Sequence, residues 1–341
     1  MKQISVLITD DSQFARGLMK AILSEDEEVV VTGEAANGRE AVEKNMELKP
    51  DIITMDMEMP VMDGLEAIEQ IMALRAVPIL VVTTHSDAKT AFSAISRGAL
   101  DLIDKSSVNI EDAREFIKKI KILSKVKVFP HIKGKMGAGR KPDVQPAAPR
   151  GKASPDRVVA IASSTGGPDA LSVILSMLPG NFPYPVVVAQ HIADGFAKGM
   201  AEWIGSLSKV KVKMAEADEI LSRGVAYISP SEKHMVVNGS RRISLVGRRP
   251  FDIYHPSCDM LLSSVAGAFG GRSIGVILTG MGHDGAMGIK DIKKAGGLTI
   301  AQDEKTSVVF GMPKAAIDSG FVDKVLPVES IGRELAIIAG M

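Results

Sequence analysis

The sequence predicts an α/β protein in two parts: an N-terminal five-stranded, doubly wound parallel domain, then a second α/β domain with a mostly parallel sheet and a β-hairpin. Three observations carry this. Short apolar runs alternate with segments of helical periodicity over residues 1–123. A Pro- and Gly-rich basic stretch interrupts the rhythm over 124–156, and the alternation resumes over 157–341. A chain of 341 residues suits two domains of about 100–200 residues each.

In the first domain the apolar runs are 4–8, 29–31, 52–55, 79–82 and 100–103. Continuous apolar runs bounded by charge are what strands buried on both faces require, hence a parallel sheet. Ala113, Phe116, Ile117, Ile120 and Leu123 recur at helical spacing, with Lys118, Lys119 and Lys121 off that face. The interrupting stretch holds Pro130, Pro142, Pro146, Pro149 and Pro155, with Lys133, Lys135, Arg140 and Lys141 among them. That composition predicts an extended tether.

In the last part, residues 158–162, 186–189, 225–228, 274–278 and 298–301 predict strands. Residues 168–178, 196–207, 257–269, 284–295 and 328–339 predict helices. Between 235 and 246 two strand-like runs flank Asn238-Gly239, a hairpin signal that predicts a mixed sheet.

Hydrophobic residues make up 45% of the chain and aromatics 4%, so aliphatic and Met side chains must fill the cores. Lys+Arg and Asp+Glu are equal at 41 each, and a neutral chain gives no reason to expect nucleic acid or an anionic membrane as partner. One cysteine, Cys258, excludes an intramolecular disulfide and suits a reducing cytoplasm. The N-terminal apolar run ends in two aspartates, unlike a secretory signal. No run reaches the ~18 apolar residues of a membrane span. The expectation is a cytoplasmic protein without membrane insertion.

Asp10 and Asp11 end the first predicted strand, Asp56 the third, Thr83 the fourth and Lys105 the fifth. In open α/β sheets ligands bind beyond the carboxyl ends of the strands, where strand order reverses. A 2-1-3-4-5 order would bring the three carboxylates together. Like charges that close need a cation, and oxygen ligands of this kind suit Mg2+. Thr83 can hydrogen-bond a phosphoryl oxygen, and Lys105 can neutralise its charge. Taken singly, each is an ordinary loop residue; five at matching strand ends are not.

On these positions, and on Asp56-Met57-Glu58-Met59-Pro60-Val61-Met62-Asp63-Gly64, residues 1–123 resemble a two-component receiver domain. The resemblance implies phosphorylation of Asp56 by a histidine kinase. It also implies Mg2+ held by Asp10, Asp11 and Asp56, and phosphate sensing by Thr83 and Lys105. Two positions depart from the family pattern: Ser106 follows Lys105 where proline is usual, and Leu102 stands where an aromatic is frequent.

In the second domain, strand 158–162 runs into Ser163-Ser164-Thr165-Gly166-Gly167 and a helix. Ser164 sits where a nucleophile elbow places its serine, although Ala162 replaces the first glycine of G-x-S-x-G. The helix start offers N–H groups to a developing oxyanion. A serine nucleophile needs a base. Among six histidines, His191 ends the strand 186–189 on the same sheet edge; His255 and His283 are alternatives, and His234, His85 and His131 are remoter ones. Asp284 follows Thr279-Gly280-Met281-Gly282-His283 and could orient the imidazole or simply cap the next helix. Cys258 lies in an apolar helical run and is expected to pack.

The order Ser…His…Asp, with Ser-Thr-Gly-Gly, Gln190-His191, His255-Pro256-Ser257 with Asp259, Asp284-Gly285-Ala286 and the stretch 301–313, resembles the catalytic domain of chemotaxis protein-glutamate methylesterases, the CheB family. Here Ile192-Ala193 replaces a frequent Met-Pro. The resemblance implies Ser164 as nucleophile, His191 as base and Asp284 as orienting acid, with backbone N–H groups of Thr165 and Met281 as oxyanion donors. It implies methyl-accepting chemoreceptors as substrates, glutamine deamidation as a second activity, no cofactor for the esterase, and inhibition by the unphosphorylated receiver. Two other readings remain at this point: a non-enzymatic scaffold, and a phosphate- or nucleotide-binding domain using Gly166-Gly167. No lysine follows those glycines and no G-x-G-x-x-G is present, which counts against the second.

Overall fold

The computed structural model describes residues 3–84, 88–109, 113–128, 157–249 and 252–341. Of the tether expected over 124–156, residues 129–156, with His131 among them, lie outside the described residues, as does His85. The chain divides into two compact units, Met1–Pro142 and Asp143–Met341, and each is described by itself.

The first unit alternates β1 (Ile4–Thr9), α1 (Gln13–Leu23), β2 (Val29–Ala35), α2 (Gly38–Leu48), β3 (Ile52–Met55), α3 (Gly64–Leu74), β4 (Ile79–Thr83), α4 (Ala88–Ser96), β5 (Asp101–Asp104) and α5 (Ala113–Leu123). The sheet order is 2-1-3-4-5, as anticipated, and every pairing is parallel. The apolar runs are the buried strands: Ile52, Ile53, Ile79, Leu80 and Val81 are inaccessible to solvent. Short polar side chains start the helices. Ser12 accepts from the Ala15 N–H, Asn37 from Glu40 and Asp63 from Glu66, each satisfying an N–H that the first helical turn leaves free. β2 runs to Ala35, past its apolar residues, because pairing with β1 continues to Thr9 through a register shift at Val6/Leu7.

The second unit contains β6 (Val158–Ser163), α6 (Gly167–Met177), β7 (Val186–Gln190), α7 (Ala197–Leu207), β8 (Lys211–Met214), β9 (Val225–Ile228), β10 (Lys233–Val237), β11 (Ile243–Gly247) and α8 (Cys258–Phe269). There follow β12 (Ser273–Ile277), α9 (Ala286–Lys294), β13 (Leu298–Gln302), α10 (Met312–Asp318), β14 (Lys324–Leu326) and α11 (Val328–Ile338). The strand order is β14-β13-β12-β6-β7-β9-β8. Every pairing in this sheet is parallel.

The mixed sheet anticipated from the hairpin does not form. Among the described residues β10 and β11 form a separate two-stranded sheet. The turn is also longer than Asn238-Gly239. Asn238 Oδ1 accepts from the Ser240 and Arg242 N–H groups, and Arg241 takes the positive φ of 60°. β8 and β14, which sequence periodicity does not reveal, are charged edge strands; such charge guards an open edge. Among the described residues no helix is long and apolar enough to cross a membrane.

Strand order reverses between β6 and its neighbour β12. The chain leaves β6 toward β7 and returns to β12 on the other side. The crevice beyond the carboxyl ends of these two strands is where ligands bind in such sheets.

Candidate active site and acidic pocket

Ser164 follows β6, and Thr279 lies two residues past the end of β12, so both stand at that crevice. The Ser164 N–H donates to Thr279 O at 3.0 Å. Register sets the histidine beside them. Ser163 pairs with Gln190 across β6 and β7, and the His191 N–H donates to Ser163 O at 3.0 Å. Ser164 is not in a strained elbow conformation: the positive φ falls two residues later, at Gly166 (74°), the N-cap of α6.

Asp284 reaches His191 at 2.8 Å, Oδ2 to Nε2. An ionised carboxylate only accepts, so Nε2 carries the hydrogen and Nδ1 keeps the lone pair. The usual triad has the nitrogens the other way round, with Nδ1–H on the aspartate. Among the described residues neither Ser164 Oγ nor His191 Nδ1 has a hydrogen-bond partner. Catalytic contacts are often long until substrate binds.

Asp284 does not cap α9, the bland alternative for this residue. Its carboxylate accepts from the backbone N–H groups of Cys258 (2.7 Å) and Asp259 (2.9 Å), the opening residues of α8. Asp259 returns the service, accepting from Gly285 (2.9 Å) and Gly288 (2.8 Å) at the start of α9. The two helices thus cap each other across the site. Burial pushes the Asp284 carboxyl upward, but the His191 hydrogen bond and charge and the two backbone N–H groups outweigh it and hold it below the usual range. Asp259, partly buried and with the Asp284 charge beside it, is pushed up by burial first and then by that charge.

The other histidines are placed elsewhere. His234 is buried; its Nε2 pairs with Asp252 at 2.9 Å and its Nδ1 accepts from the Ser257 N–H at 2.9 Å. His283 is exposed. His255 is half-buried, and burial followed by the Arg248 charge lowers its pKa. The anticipated oxyanion donors are available: among the described residues no acceptor lies on the backbone N–H of Thr165 or Met281.

In the first unit one ligand oxygen each from Asp10, Asp11 and Asp56 all lie within 4.8 Å of one another. Lys105 Nζ is 2.7 Å from Asp10 Oδ2 and 2.8 Å from Asp56 Oδ2. Burial raises the Asp56 carboxyl; Lys105 opposes that and Asp10 adds to it. Burial lowers Lys105, but the two carboxylates outweigh it, so its pKa is raised. Among the described residues Thr83 Oγ1 is buried without a hydrogen-bond partner. The Ser106 N–H, which a proline at this position would lack, donates to Asp104 Oδ1 at 2.9 Å.

The model of the CheB methylesterase family matches residues 159–335, and that of the response regulator receiver domain matches 6–119. A protein-glutamate methylesterase/protein-glutamine glutaminase of Paramagnetospirillum magneticum is 46% identical over 99% of this chain and 97% of its own length. The chain belongs to the CheB methylesterase family. A Pyrococcus abyssi protein with the same name is 41% identical over 97% of the chain and 92% of its own. The crystal structure of the Thermotoga maritima CheB methylesterase catalytic domain is 40% identical and superposes with a TM-score of 0.52, covering 53% of this chain and 98% of that one.

Three features of this CheB chain's site escape sequence reasoning. Gln190, buried, donates from Nε2 to both Ser164 O and His191 O at 2.8 Å and accepts from Ser163 Oγ at 2.6 Å. Tyr254 stacks on the His191 ring, with centroids 5.1 Å apart and planes at 9°. Thr279 Oγ1 donates to Thr165 O at 2.9 Å and accepts from the Val309 N–H. A polar residue closing an apolar strand was the available signal for Gln190; Tyr254 offered none.

Gly280 packs where no side chain fits. A Cβ there would lie 2.3 Å from Met312 Sδ and 2.7 Å from Ser164 Cβ. Gly280→Ala should therefore cost about 1–3 kcal/mol of stability and lower kcat more than KM, read by thermal melts and ester hydrolysis. Gly267, in the last turn of α8 with nothing within 4 Å of a Cβ, is the control: Gly267→Ala should stabilise by up to about 0.5–1 kcal/mol.

Proposed function

We propose that this protein is a phosphorylation-activated protein-glutamate methylesterase and protein-glutamine glutaminase acting on methyl-accepting chemoreceptors in the cytoplasm. The observation that carries the reading is the Asp284–His191 pair beside Ser164 at the crevice between β6 and β12. Ser164 Oγ attacks the γ-ester carbonyl and passes its proton to His191 Nδ1. Asp284 holds the imidazole by Nε2–H and stabilises its cation. The N–H groups of Thr165 and Met281 receive the oxyanion. The proton then goes to the leaving methanol, and water, deprotonated by His191, hydrolyses the acyl-enzyme. A glutamine side chain follows the same steps with ammonia leaving.

In the receiver, Asp56 accepts a phosphoryl group from a histidine kinase, and Thr83 and Lys105 bind its oxygens. The three converging carboxylates and their hard oxygen donors fit Mg2+. Asp10, Asp11 and Asp56 would hold the ion, which supplies charge neutralisation for phosphoryl transfer. The unphosphorylated receiver restrains the esterase, and phosphorylation shifts the population to the active form.

The test is methanol release from methylated receptor membranes, with and without a small phosphodonor and Mg2+. Stimulation by the donor is expected. In a folded fragment lacking residues 1–150, release should exceed the unstimulated full-length rate; equal or lower release would remove the inhibitory role.

The pH dependence of stability follows from Asp284. Its folded pKa lies below the unfolded value of about 3.9, so its contribution is complete above that value. It is lost as pH falls through the lower folded value. Asp284→Asn should flatten the acid side of a plot of Tm against pH.

A further inference from the structure

His191, Cys258 and Asp284 form a cluster whose sulfur the ester chemistry leaves unused. Cys258 Sγ lies 3.4 Å from His191 Nε2, which is 2.8 Å from Asp284 Oδ2. One ligand atom from each residue lies within 4.8 Å of the other two. Cys258 is fully buried. Burial, and then the Asp284 charge, push its thiol well up, so at neutral pH it is neither a thiolate nor a nucleophile. Imidazole nitrogen, thiol sulfur and carboxylate oxygen are together the donor types that zinc binds, and three protein ligands with one position left for solvent is a common arrangement.

We propose that His191, Cys258 and Asp284 form a binding site for a thiophilic divalent cation, zinc or cadmium, and that the bound ion switches the esterase off. The site stands on the geometry; the inhibition rests on the roles proposed above for Ser164 and His191. Zinc–ligand bonds of about 2.0–2.3 Å at tetrahedral angles put nitrogen and oxygen about 3.4 Å apart, and nitrogen and sulfur about 3.6 Å apart. The present gaps of 2.8 Å and 3.4 Å widen to these values by shifts of well under an ångström. Asp284 stays in place because the N–H groups of Cys258 and Asp259 hold it. Tyr254 lies against the face of the His191 ring and leaves the in-plane direction at Nε2 open to the cluster.

On binding, the Cys258 S–H bond breaks, an S–metal bond forms and the proton leaves to solvent; no electron is transferred. With the ion on Nε2, the imidazole hydrogen moves to Nδ1. A protonated Nδ1 cannot take the proton of Ser164. The receiver carboxylates do not compete, because an all-oxygen set suits Mg2+ while sulfur and imidazole suit softer ions.

Cys258 is the sole cysteine in the chain, so a thiolate–cadmium charge-transfer band in the ultraviolet reports this site alone. The full-length protein is titrated with Cd2+ in excess Mg2+, and methanol release is measured in parallel with Zn2+. One Cd2+ per chain should produce the band, and Zn2+ should lower the rate tenfold or more. Cys258→Ala should show no band and stay within twofold of its own metal-free rate at the same Zn2+. Cys258→Ser, which keeps the volume, serves if the alanine variant does not fold. Absence of the band in wild type, or equal inhibition in both proteins, would overturn the site. A band without loss of rate would overturn the placement of the ion on His191 Nε2. A band in a protein with no metal-free esterase activity would leave the site standing and remove the proposed function instead.

Discussion

Ser164→Ala is expected to abolish methanol release from methylated receptor membranes, a loss on the order of 10^4- to 10^6-fold, as when the nucleophile or base of a serine hydrolase is removed. The fold should survive. Ser164 is held by backbone bonds, its N–H to Thr279 O and its O to the Gly167 N–H and Gln190 Nε2, and its hydroxyl bonds to nothing among the described residues. Tm should therefore move by less than a few degrees. Loss of rate at unchanged Tm is the signature of a nucleophile; release unaffected by the substitution would remove Ser164 from the mechanism. Asp284→Asn should also cost a large factor in kcat, on the order of 10^3–10^4, but with loss of stability, because the same carboxylate caps α8.

The second large effect is expected at Asp56. Asp56→Asn should abolish stimulation by phosphodonor and Mg2+ while the unstimulated rate remains. Stability supplies the control. Burial and Asp10 raise the Asp56 carboxyl in the folded state, so holding it ionised at neutral pH works against folding. The asparagine variant should melt no lower than wild type at pH 7. A variant that melts as high and still responds to phosphodonor would exclude Asp56 as the acceptor.

Much of the fold was legible because its signals are local. Residues 52–55 form a strand buried throughout and read as one, since a short, mostly apolar, β-prone stretch between Asp51 and Asp56 has few other places to go. Asp10, Asp56, Thr83 and Lys105 could be placed at strand ends for the same reason. Ser164 and His191 were legible as neighbours once β6 and β7 were recognised as strands ending at the same edge.

What was not legible depends on partners distant in the chain. The mixed sheet was expected because a hairpin signal says that β10 and β11 pair, not which other strand either one meets. The capping alternative for Asp284 pointed to its own helix; its carboxylate caps α8 instead, and Asp259 caps α9, an exchange across 25 residues. Gln190 and Tyr254 have no periodicity or motif spacing that reveals a clamp or a stacking ring. Their roles exist only where strand ends and loops converge.

The sequence by itself determined the α/β class, the strand-end carboxylates and the chemistry of the Ser, His and Asp side chains, because apolar periodicity and side-chain type are properties of short stretches. Only the tertiary structure decided which histidine nitrogen meets Asp284, that Gln190 ties the Ser164 and His191 backbones together, and that the one thiol stands at the imidazole. Those depend on the relative placement of elements tens of residues apart, which β-strand register and mutual helix capping set at sub-ångström scale and no local pattern encodes.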